Sequence, residues 1–263
     1  EWCHFFAENN FLVGLSVDGI KATHDAFRKD ASGNDTYYHV LEKAECLKKA
    51  GVQFNVLTVV NSKTAPKIRR IYEQYRKLGF CWQQYIACLD PIGKLQGEKE
   101  FSLTPELYGN FLIELFELWE IDLKQGKQPY IRQFENYISI LLGYMPEACE
   151  QRGICSFQNV VEADGSVYPC DFYVLDEYNL GNLNENSFEE IQKKRNAIQF
   201  VENSCNHLSE CKECEYFFIC RGGCRKHRDN MGVMDGKNRF CQSYRMFFDA
   251  CLSRMVEISK RCR

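Results

Sequence analysis

The sequence predicts an α/β protein in which part of a parallel (β/α) barrel is followed by a loop-rich, cysteine-rich domain. Strand and helix signals alternate over the first third of the chain, and helical periodicity follows them. Eight of the fifteen cysteines then form one array between Cys149 and Cys241. The 263 residues suffice for one large or two modest domains. We predict a partial barrel at 1–100, a helical connection at 101–145 and the cysteine-rich domain at 146–263.

The first part of the chain shows a β-α-β-α-β rhythm, which is typical of a parallel sheet. The run from Phe11 to Val17 is almost continuously apolar, as expected of a buried parallel strand. The spacing of apolar residues predicts two further strands and two helices: helix 38–50, strand 54–60, helix 65–78 and strand 82–88. Three strands are too few for a closed eight-stranded barrel, so we expect the other strands to precede Glu1.

The middle of the chain is predicted to be helical. Thr104-Pro105 is a helix start, because threonine caps helices and proline suits the first helical position. A further helix is predicted over 130–142. We interpret the aromatic residues of both segments as core.

The cysteine array has tight, turn-like spacing. Its members are Cys149, Cys155, Cys170, Cys211, Cys214, Cys220, Cys224 and Cys241. Disulfides suit small chains of oxidising compartments, whereas this chain has 45% hydrophobic residues and thus enough for a core. Four thiolates also suit zinc or iron–sulfur clusters. Only Cys211 and Cys214 have the CxxC form common in zinc sites, and we therefore favour iron–sulfur clusters.

Two local features support a metal-dependent, loop-rich fold. Asp164-Gly165 lies between two β-prone arms and predicts a hairpin that brings Cys155 and Cys170 to the same end. Gly222-Gly223 between two cysteines allows the backbone to approach an inorganic core closely.

Composition restricts the partners and the compartment. The formal net charge is −3, which gives no support for a nucleic-acid or anionic-membrane partner. No apolar run reaches the roughly 18 residues that span a bilayer. Since the chain starts at Glu1 without a leader-like segment, we expect a piece of a longer cytoplasmic protein.

Seven of these cysteines and one glycine form a specific pattern: Cys-x9-Gly-x4-Cys, then Cys-x2-Cys-x5-Cys-x3-Cys, then a last Cys. This pattern resembles the SPASM domain of radical S-adenosylmethionine (radical SAM) enzymes. Further strings narrow the resemblance: Leu12-Val13-Gly14-Leu15-Ser16-Val17-Asp18-Gly19, Cys88-Leu89-Asp90-Pro91 and Val167-Tyr168-Pro169-Cys170-Asp171-Phe172-Tyr173. Together with Cys149, they are similar to the anaerobic sulfatase-maturating enzymes over nearly the whole chain. The predicted barrel is then part of a radical SAM barrel.

The resemblance implies two auxiliary [4Fe–4S] clusters, each with four cysteine ligands. One set of ligands is Cys149, Cys155, Cys170 and Cys224. The other set is Cys211, Cys214, Cys220 and Cys241. The seven remaining cysteines match no ligand position, and we expect them to be small buried hydrophobes.

The resemblance also implies roles for four other residues. Asp171 matches the general base that takes the proton of the substrate side chain, and we expect it to be held away from bulk water. Ser16, Arg28 and Leu89 match positions that contact S-adenosylmethionine (AdoMet). Without the resemblance, Arg28 would be interpreted as a surface charge and Asp171 as a turn residue.

One motif of the family is missing. The Cys-x3-Cys-x2-Cys motif that binds the AdoMet-cleaving cluster does not occur among the early cysteines. We therefore expect the C-terminal portion of a maturase whose third [4Fe–4S] cluster lies in the full-length protein, and a portion that is inactive by itself.

The implied function is oxidation of a cysteine or serine in an unfolded sulfatase segment to Cα-formylglycine by a monomeric radical SAM oxidoreductase. Three alternatives stay open: another peptide-modifying SPASM maturase that makes thioether or carbon–carbon links, a non-catalytic metal-binding module, and a zinc-stabilised structural domain.

Overall fold

The computed structural model describes residues 1–91, 97–229 and 236–262. They form two compact units, one of Glu1–Tyr144 with Phe240–Arg263 and the other of Met145–Arg239. Whether the chain divides by function at 100 and 145 stays a prediction.

The strands are β1 Leu12–Ser16, β2 Gln53–Val60, β3 Trp82–Ala87, β4 Tyr130–Ile131, β5 Val160–Val161, β6 Ser166–Tyr168 and β7 Gly181–Asn182. The helices are α1 Trp2–Glu8, α2 Lys21–His24, α3 Tyr37–Lys49, α4 Ile68–Leu78, α5 Pro105–Lys124, α6 Arg132–Leu141, α7 Cys149–Arg152, α8 Phe188–Ile198, α9 Ser209–Lys212, α10 Phe217–Cys220, α11 Arg225–Arg228 and α12 Cys241–Arg261. Tight 3₁₀ turns occupy Ala65–Lys67, Asp171–Tyr173, Asp176–Tyr178 and Glu202–Cys205. None of the described helices is long and apolar enough to cross a membrane.

The first unit contains a sheet in the order β1-β2-β3-β4, and every neighbouring pair is parallel. The predicted strands and helices of this part are confirmed within a few residues at their ends. The hydroxyl of Tyr75 on α4 donates to the carbonyl of Val17 at 2.5 Å and accepts from the amide of Gly19 at 2.9 Å. This buried tyrosine therefore fixes the turn that follows β1.

One expectation for this sheet is wrong, and one predicted boundary is shifted. β1 is not buried: Leu12 is 61% exposed and Phe11 46%, because β1 lies at the edge of the described sheet and pairs only with β2. The helix predicted over 130–142 begins two residues later, because Tyr130–Ile131 first pairs with β3 as β4.

The core of the first unit is aromatic. α12 packs against α5 and α6, and the buried rings of Phe116, Phe134 and Phe247 lie within 6 Å of one another. The predicted cap of α5 is confirmed, since the hydroxyl of Thr104 accepts from the amide of Leu107 at 3.2 Å. These aromatic residues are core, as predicted.

The second unit is rich in loops and very short helices. β5 and β6 form the predicted antiparallel hairpin, with Val160 paired to Tyr168, and β7 adds a third strand. Val167, Leu180 and Ile191 form a small buried apolar cluster.

Candidate functional site

Two of the predicted AdoMet-contacting residues lie at one edge of the parallel sheet. Ser16 is the last residue of β1, and Leu89 lies two residues beyond the end of β3. Both side chains are half-buried. Because parallel strands end at the same edge, Ser16 and Leu89 come to the edge where ligands of α/β folds bind.

Arg28, the third predicted contact, is held by a buried carboxylate. Its Nε lies 2.6 Å from Oδ2 of Asp18 and its Nη2 3.3 Å from Oδ1. The Asp18 side chain is 4% exposed and that of Arg28 30%. The same carboxylate accepts from the amide of Val59 on β2 at 2.8 Å. Asp18, which follows β1, is thus also bonded to β2, and it holds the Arg28 guanidinium in place.

The turn after β1 contains a second polar group that the sequence did not reveal. His24 is fully buried, and its Nδ1 accepts from the amide of Asp18 at 3.2 Å. Burial lowers the pKa of His24, although the charge of Asp18 opposes this shift. The neutral imidazole therefore acts as a fixed acceptor that shapes the loop between Ser16 and Arg28.

The first predicted ligand set, Cys149, Cys155, Cys170 and Cys224, lies within the second unit. Cys149 begins α7, and Cys224 directly precedes α11. Cys155 precedes the β5–β6 hairpin and Cys170 follows it, and the two antiparallel strands return to the same end. A Cβ atom at Gly153 would lie 1.9 Å from the carbonyl oxygen of Arg221, so the segments that precede Cys155 and Cys224 touch.

These four thiols act on one another electrostatically. Cys149 acts on Cys155, Cys155 acts on Cys170, and both Cys149 and Cys155 act on Cys224. Burial raises the pKa of Cys155 and Cys224, and it raises that of Cys170 to about 12. Thiolates in such a place need a positively charged group to balance them, and bound metal supplies one. Within the described residues, no three His, Cys, Asp or Glu side chains surround the position of a single metal ion.

Basic side chains beside the four thiols fit an anionic group. Arg225 and Arg228 are each 5% exposed, and both act on Cys155, while Lys226 interacts with Cys170 and Cys224. In the described part of the chain, Nε of both arginines and Nζ of Lys226 are buried without a hydrogen-bond partner. A cluster held by four thiolates would compensate these charges.

The second predicted set is divided between the two units. Cys211, Cys214 and Cys220 lie in the second unit, whereas Cys241 begins α12 in the first. The amide of Cys214 donates to the carbonyl of Cys211 at 3.2 Å, and that of Phe217 donates to the carbonyl of Cys214 at 2.9 Å. Successive tight turns thus present the three thiols of the second unit.

Asp171 directly follows Cys170 and begins a tight turn. Its Oδ1 accepts from the Cys170 thiol at 3.3 Å. The Asp171 side chain is exposed. The expectation that it is held away from bulk water is therefore wrong in the described structure. An exposed carboxylate beside the Cys170 thiol is nevertheless accessible to an approaching molecule.

Most cysteines outside the array are not the small buried hydrophobic residues that we expected. Only Cys251 is buried, whereas Cys46, Cys81, Cys205 and Cys262 are exposed and Cys3 and Cys88 intermediate. None of the fifteen cysteines forms a disulfide. The small size of a thiol does not by itself decide on which face of a helix or loop it lies.

A comparison with family models identifies an iron–sulfur cluster-binding domain in the cysteine-rich part of the chain. Residues 149–215 match SPASM, the iron-sulfur cluster-binding domain. This match favours iron over zinc for the cysteine array.

Whole-chain relatives define the family. The chain is 41% identical over 261 residues to a cysteine-type anaerobic sulfatase-maturating enzyme of Clostridium novyi (strain NT), covering 99% of this chain and 70% of the relative. It is 32% identical to a serine-type enzyme of Bacteroides thetaiotaomicron, covering 94% and 64%. A solved structure of native anSMEcpe with bound AdoMet and Kp18Cys peptide matches with a TM-score of 0.92 and 41% identity, covering 99% of this chain and 72% of that one.

The chain therefore belongs to the anaerobic sulfatase-maturating enzymes. This family consists of radical SAM oxidoreductases that carry auxiliary [4Fe–4S] clusters in addition to the radical SAM cluster. The predictions of the family, of its α/β fold with a SPASM domain, of the maturase function and of the iron–sulfur cofactors are confirmed. The individual site residues stay predictions.

Several residues of the site were not found from the sequence. No role was assigned to Asp18 from the sequence, although a charge directly after an apolar parallel strand is a signal for the functional edge of a sheet. Arg225 and Arg228 follow Cys224 in the basic string Arg225-Lys226-His227-Arg228. Such a string normally indicates a solvated surface, and only the structure shows that both arginines are buried.

Proposed function

We propose that this chain takes part in the oxidation of a cysteine, rather than a serine, in a sulfatase peptide to Cα-formylglycine. The choice of cysteine over serine as the target residue is based on sequence identity to the two types of enzyme. Identity to cysteine-type enzymes is 40–41%, whereas identity to serine-type enzymes is 26–32%. The structure of anSMEcpe with the Kp18Cys peptide supports a peptide as the substrate here.

The four thiols of the second unit that interact electrostatically would hold one auxiliary cluster: Cys149, Cys155, Cys170 and Cys224. Cys211, Cys214 and Cys220 would hold the other, with Cys241 as the fourth ligand. When bound, AdoMet and its own cluster supply the radical that removes a Cβ hydrogen, and an auxiliary cluster supplies an acceptor for the electron that leaves the substrate.

Asp171 is proposed as the base that takes the thiol proton of the substrate cysteine. Its exposed carboxylate is accessible to a peptide, and it adjoins the ligand Cys170. Loss of this proton makes the substrate sulfur electron-rich, which favours release of the electron toward the acceptor.

Ser16, Leu89 and Arg28 are proposed to hold AdoMet at the edge of the parallel sheet. Arg28 would contact the AdoMet carboxylate through the guanidinium nitrogen that Asp18 leaves unused, since Asp18 is bonded to the other two. A guanidinium fixed in advance loses less side-chain entropy when it binds a carboxylate.

We also propose that the protein is a cytoplasmic monomer in three parts, 1–100, 101–145 and 146–263. Its net charge of −3 does not favour a nucleic-acid or anionic-membrane partner, and iron–sulfur chemistry with reduced cysteines suits a reducing compartment.

The proposed function is tested with two matched sulfatase peptides that differ only in the target residue, cysteine or serine. Each is incubated anaerobically with the reconstituted full-length protein, AdoMet and a reductant, and formylglycine is measured by mass spectrometry. We expect kcat/KM to be higher for the cysteine peptide. Equal or faster conversion of the serine peptide would contradict the assignment, and a crosslinked product would indicate another kind of maturase.

A further inference from the structure

Arg228 is a buried cation that lacks an anionic partner in the described part of the chain. The residue is 5% exposed. Its Nη1 donates to the carbonyl of Asn206 at 2.7 Å and its Nη2 to the carbonyl of Ser204 at 2.6 Å, and Nε has no partner among the described residues. A buried charge is costly unless a charge of opposite sign compensates it. The arrangement thus calls for an anion beside Arg228.

Arg228 is connected to a proposed cluster ligand, Cys155, through Ser204. Ser204, whose carbonyl Arg228 binds, is fully buried, and its hydroxyl accepts from the amide of Cys155 at 2.9 Å. The positive charge of Arg228 also acts on the Cys155 thiol. Arg228 is therefore connected to Cys155 both through Ser204 and through space.

The other charged groups around the set differ from Arg228 in their compensation. Arg225 lies 3.8 Å from Asp229 and packs over the rings of Phe200 and Tyr173, 4.5 and 5.0 Å from their centres. Lys226 lies over the Tyr173 ring at 5.0 Å and interacts with Cys170, Cys224 and Asp229. Glu150 acts on Cys224, and Asp171 on Cys170. Among these three cations, Arg228 is the one whose hydrogen-bond partners in the described structure are all neutral carbonyl groups.

We propose that Arg228, assisted by Lys226, supplies the positive charge that balances the cluster held by Cys149, Cys155, Cys170 and Cys224 and raises its reduction potential. The proposal rests on the ligand set of the proposed function. A cluster bound by four thiolates is anionic, and one added electron makes it more so. Net charge is one of the factors that set cluster potentials. A fixed nearby cation stabilises the reduced form more than the oxidised form.

In turnover, the electron would come from the substrate once its Cβ hydrogen and thiol proton have been removed. That one electron would pass to the cluster, and Arg228 would transfer neither a proton nor an electron. Arg228 would act through the cluster: its charge would make the cluster a better electron acceptor, and its side chain would not contact the substrate.

The test is a potentiometric titration of the anaerobically reconstituted protein, followed by electron paramagnetic resonance. Arg228→Gln removes the charge, Arg228→Lys keeps it, and Arg69→Gln removes a charge from an exposed arginine of the first unit. Iron and acid-labile sulfide are measured on every sample before titration.

For Arg228→Gln with full iron, we expect one cluster transition to move to more negative potential while the other stays in place. The expected shift is at least a tenfold change in the ratio of reduced to oxidised cluster, which is 59 mV for one electron. Arg228→Lys should shift by less than half as much, and Arg69→Gln should match the wild type. An unchanged potential in Arg228→Gln, or an equal shift in Arg228→Lys, would overturn the proposal.

Lys226→Gln keeps the proposal testable if Arg228→Gln does not take up iron. Lys226 is only half-buried, and its loss should lower the potential of the same transition in a loaded sample. A loaded Lys226→Gln protein with the wild-type potential would then overturn the proposal. Zinc or an absence of iron in the wild-type protein would instead contradict the ligand sets of the proposed function.

Discussion

At the scale of single residues, the site combines charges that differ in burial. Asp18 and Arg228 are buried and fixed by several hydrogen bonds each, whereas Asp171 is exposed on a tight turn. Fixed buried charges suit the holding of a cofactor, while an exposed carboxylate suits contact with an incoming peptide. Asp171 is thus the residue whose replacement should affect chemistry more than assembly.

Asp171→Asn keeps the size of the side chain but removes its basicity. In the full-length protein, we expect the iron content to stay unchanged and formylglycine formation to fall by roughly 10²–10⁴-fold, as for the loss of a general base. The matched control is Asp176→Asn, an acidic residue of the neighbouring turn, which should retain activity. Normal turnover in Asp171→Asn would show that this carboxylate is structural.

Gly153 is predicted to be required for assembly of the cysteine array. Its φ is +72°, and a Cβ atom there would lie 1.9 Å from the carbonyl oxygen of Arg221. Gly153→Ala should lower both the melting temperature and the iron content, because the segments before Cys155 and Cys224 would be pushed apart.

The control for Gly153→Ala is Gly51→Ala, which has the same backbone strain without the contact. The φ of Gly51 is +71°, and its Cβ position has no neighbour within 4 Å. This substitution should cost about 1–2 kcal/mol for the left-handed conformation and leave iron uptake normal. Equal effects of the two substitutions would show that backbone strain alone is responsible.

At the scale of elements, local signals in the sequence place most helices and strands of the first unit. The alternation of apolar strands and amphipathic helices predicted β1 to β3, α3 and α4, and Asp164-Gly165 predicted the β5–β6 hairpin. β4 was missed, because two residues are too few for a strand pattern and only pairing with β3 creates the strand. Short elements that depend on a distant partner leave no periodic signal.

The cap of α5 allows the stability of the first unit to be tested separately from the cysteine array. Thr104→Ala removes the acceptor of the Leu107 amide and should cost about 0.5–2 kcal/mol of folding stability. The melting temperature should fall while iron content stays constant. Ser32→Ala, at an exposed residue whose hydroxyl makes no bond in the described structure, should change stability by less than about 0.5 kcal/mol. Loss of iron in Thr104→Ala would mean that the cap also supports the array.

At the scale of the whole molecule, each of the two units contains part of the proposed chemistry. The first presents Ser16, Leu89 and Arg28 at an edge of its sheet, and the second presents Asp171 and seven of the eight array cysteines. The two ligand sets make a stoichiometric prediction that does not depend on turnover.

The reconstituted chain should hold about eight iron atoms, the sum of two four-iron clusters. Cys155→Ala and Cys211→Ala should each reduce the content by about half, because each removes a ligand of a different set. Cys46→Ala, at an exposed cysteine outside the array, should retain all of the iron. Iron and sulfide analysis decides the outcome, and stoichiometric zinc without sulfide would contradict both sets.

The sequence by itself determined the family, the α/β class and the cysteine pattern, because these depend on local periodicity and on the spacing of cysteines along the chain. Only the tertiary structure decided which charges are buried. Arg228 lies in a basic string that suggests a surface, yet its guanidinium binds carbonyls 22 and 24 residues away. Asp18 likewise lies ten residues from Arg28, and the exposure of β1 follows from its place at the edge of the described sheet. Such properties arise from contacts between distant segments, and spacing along the chain does not encode them.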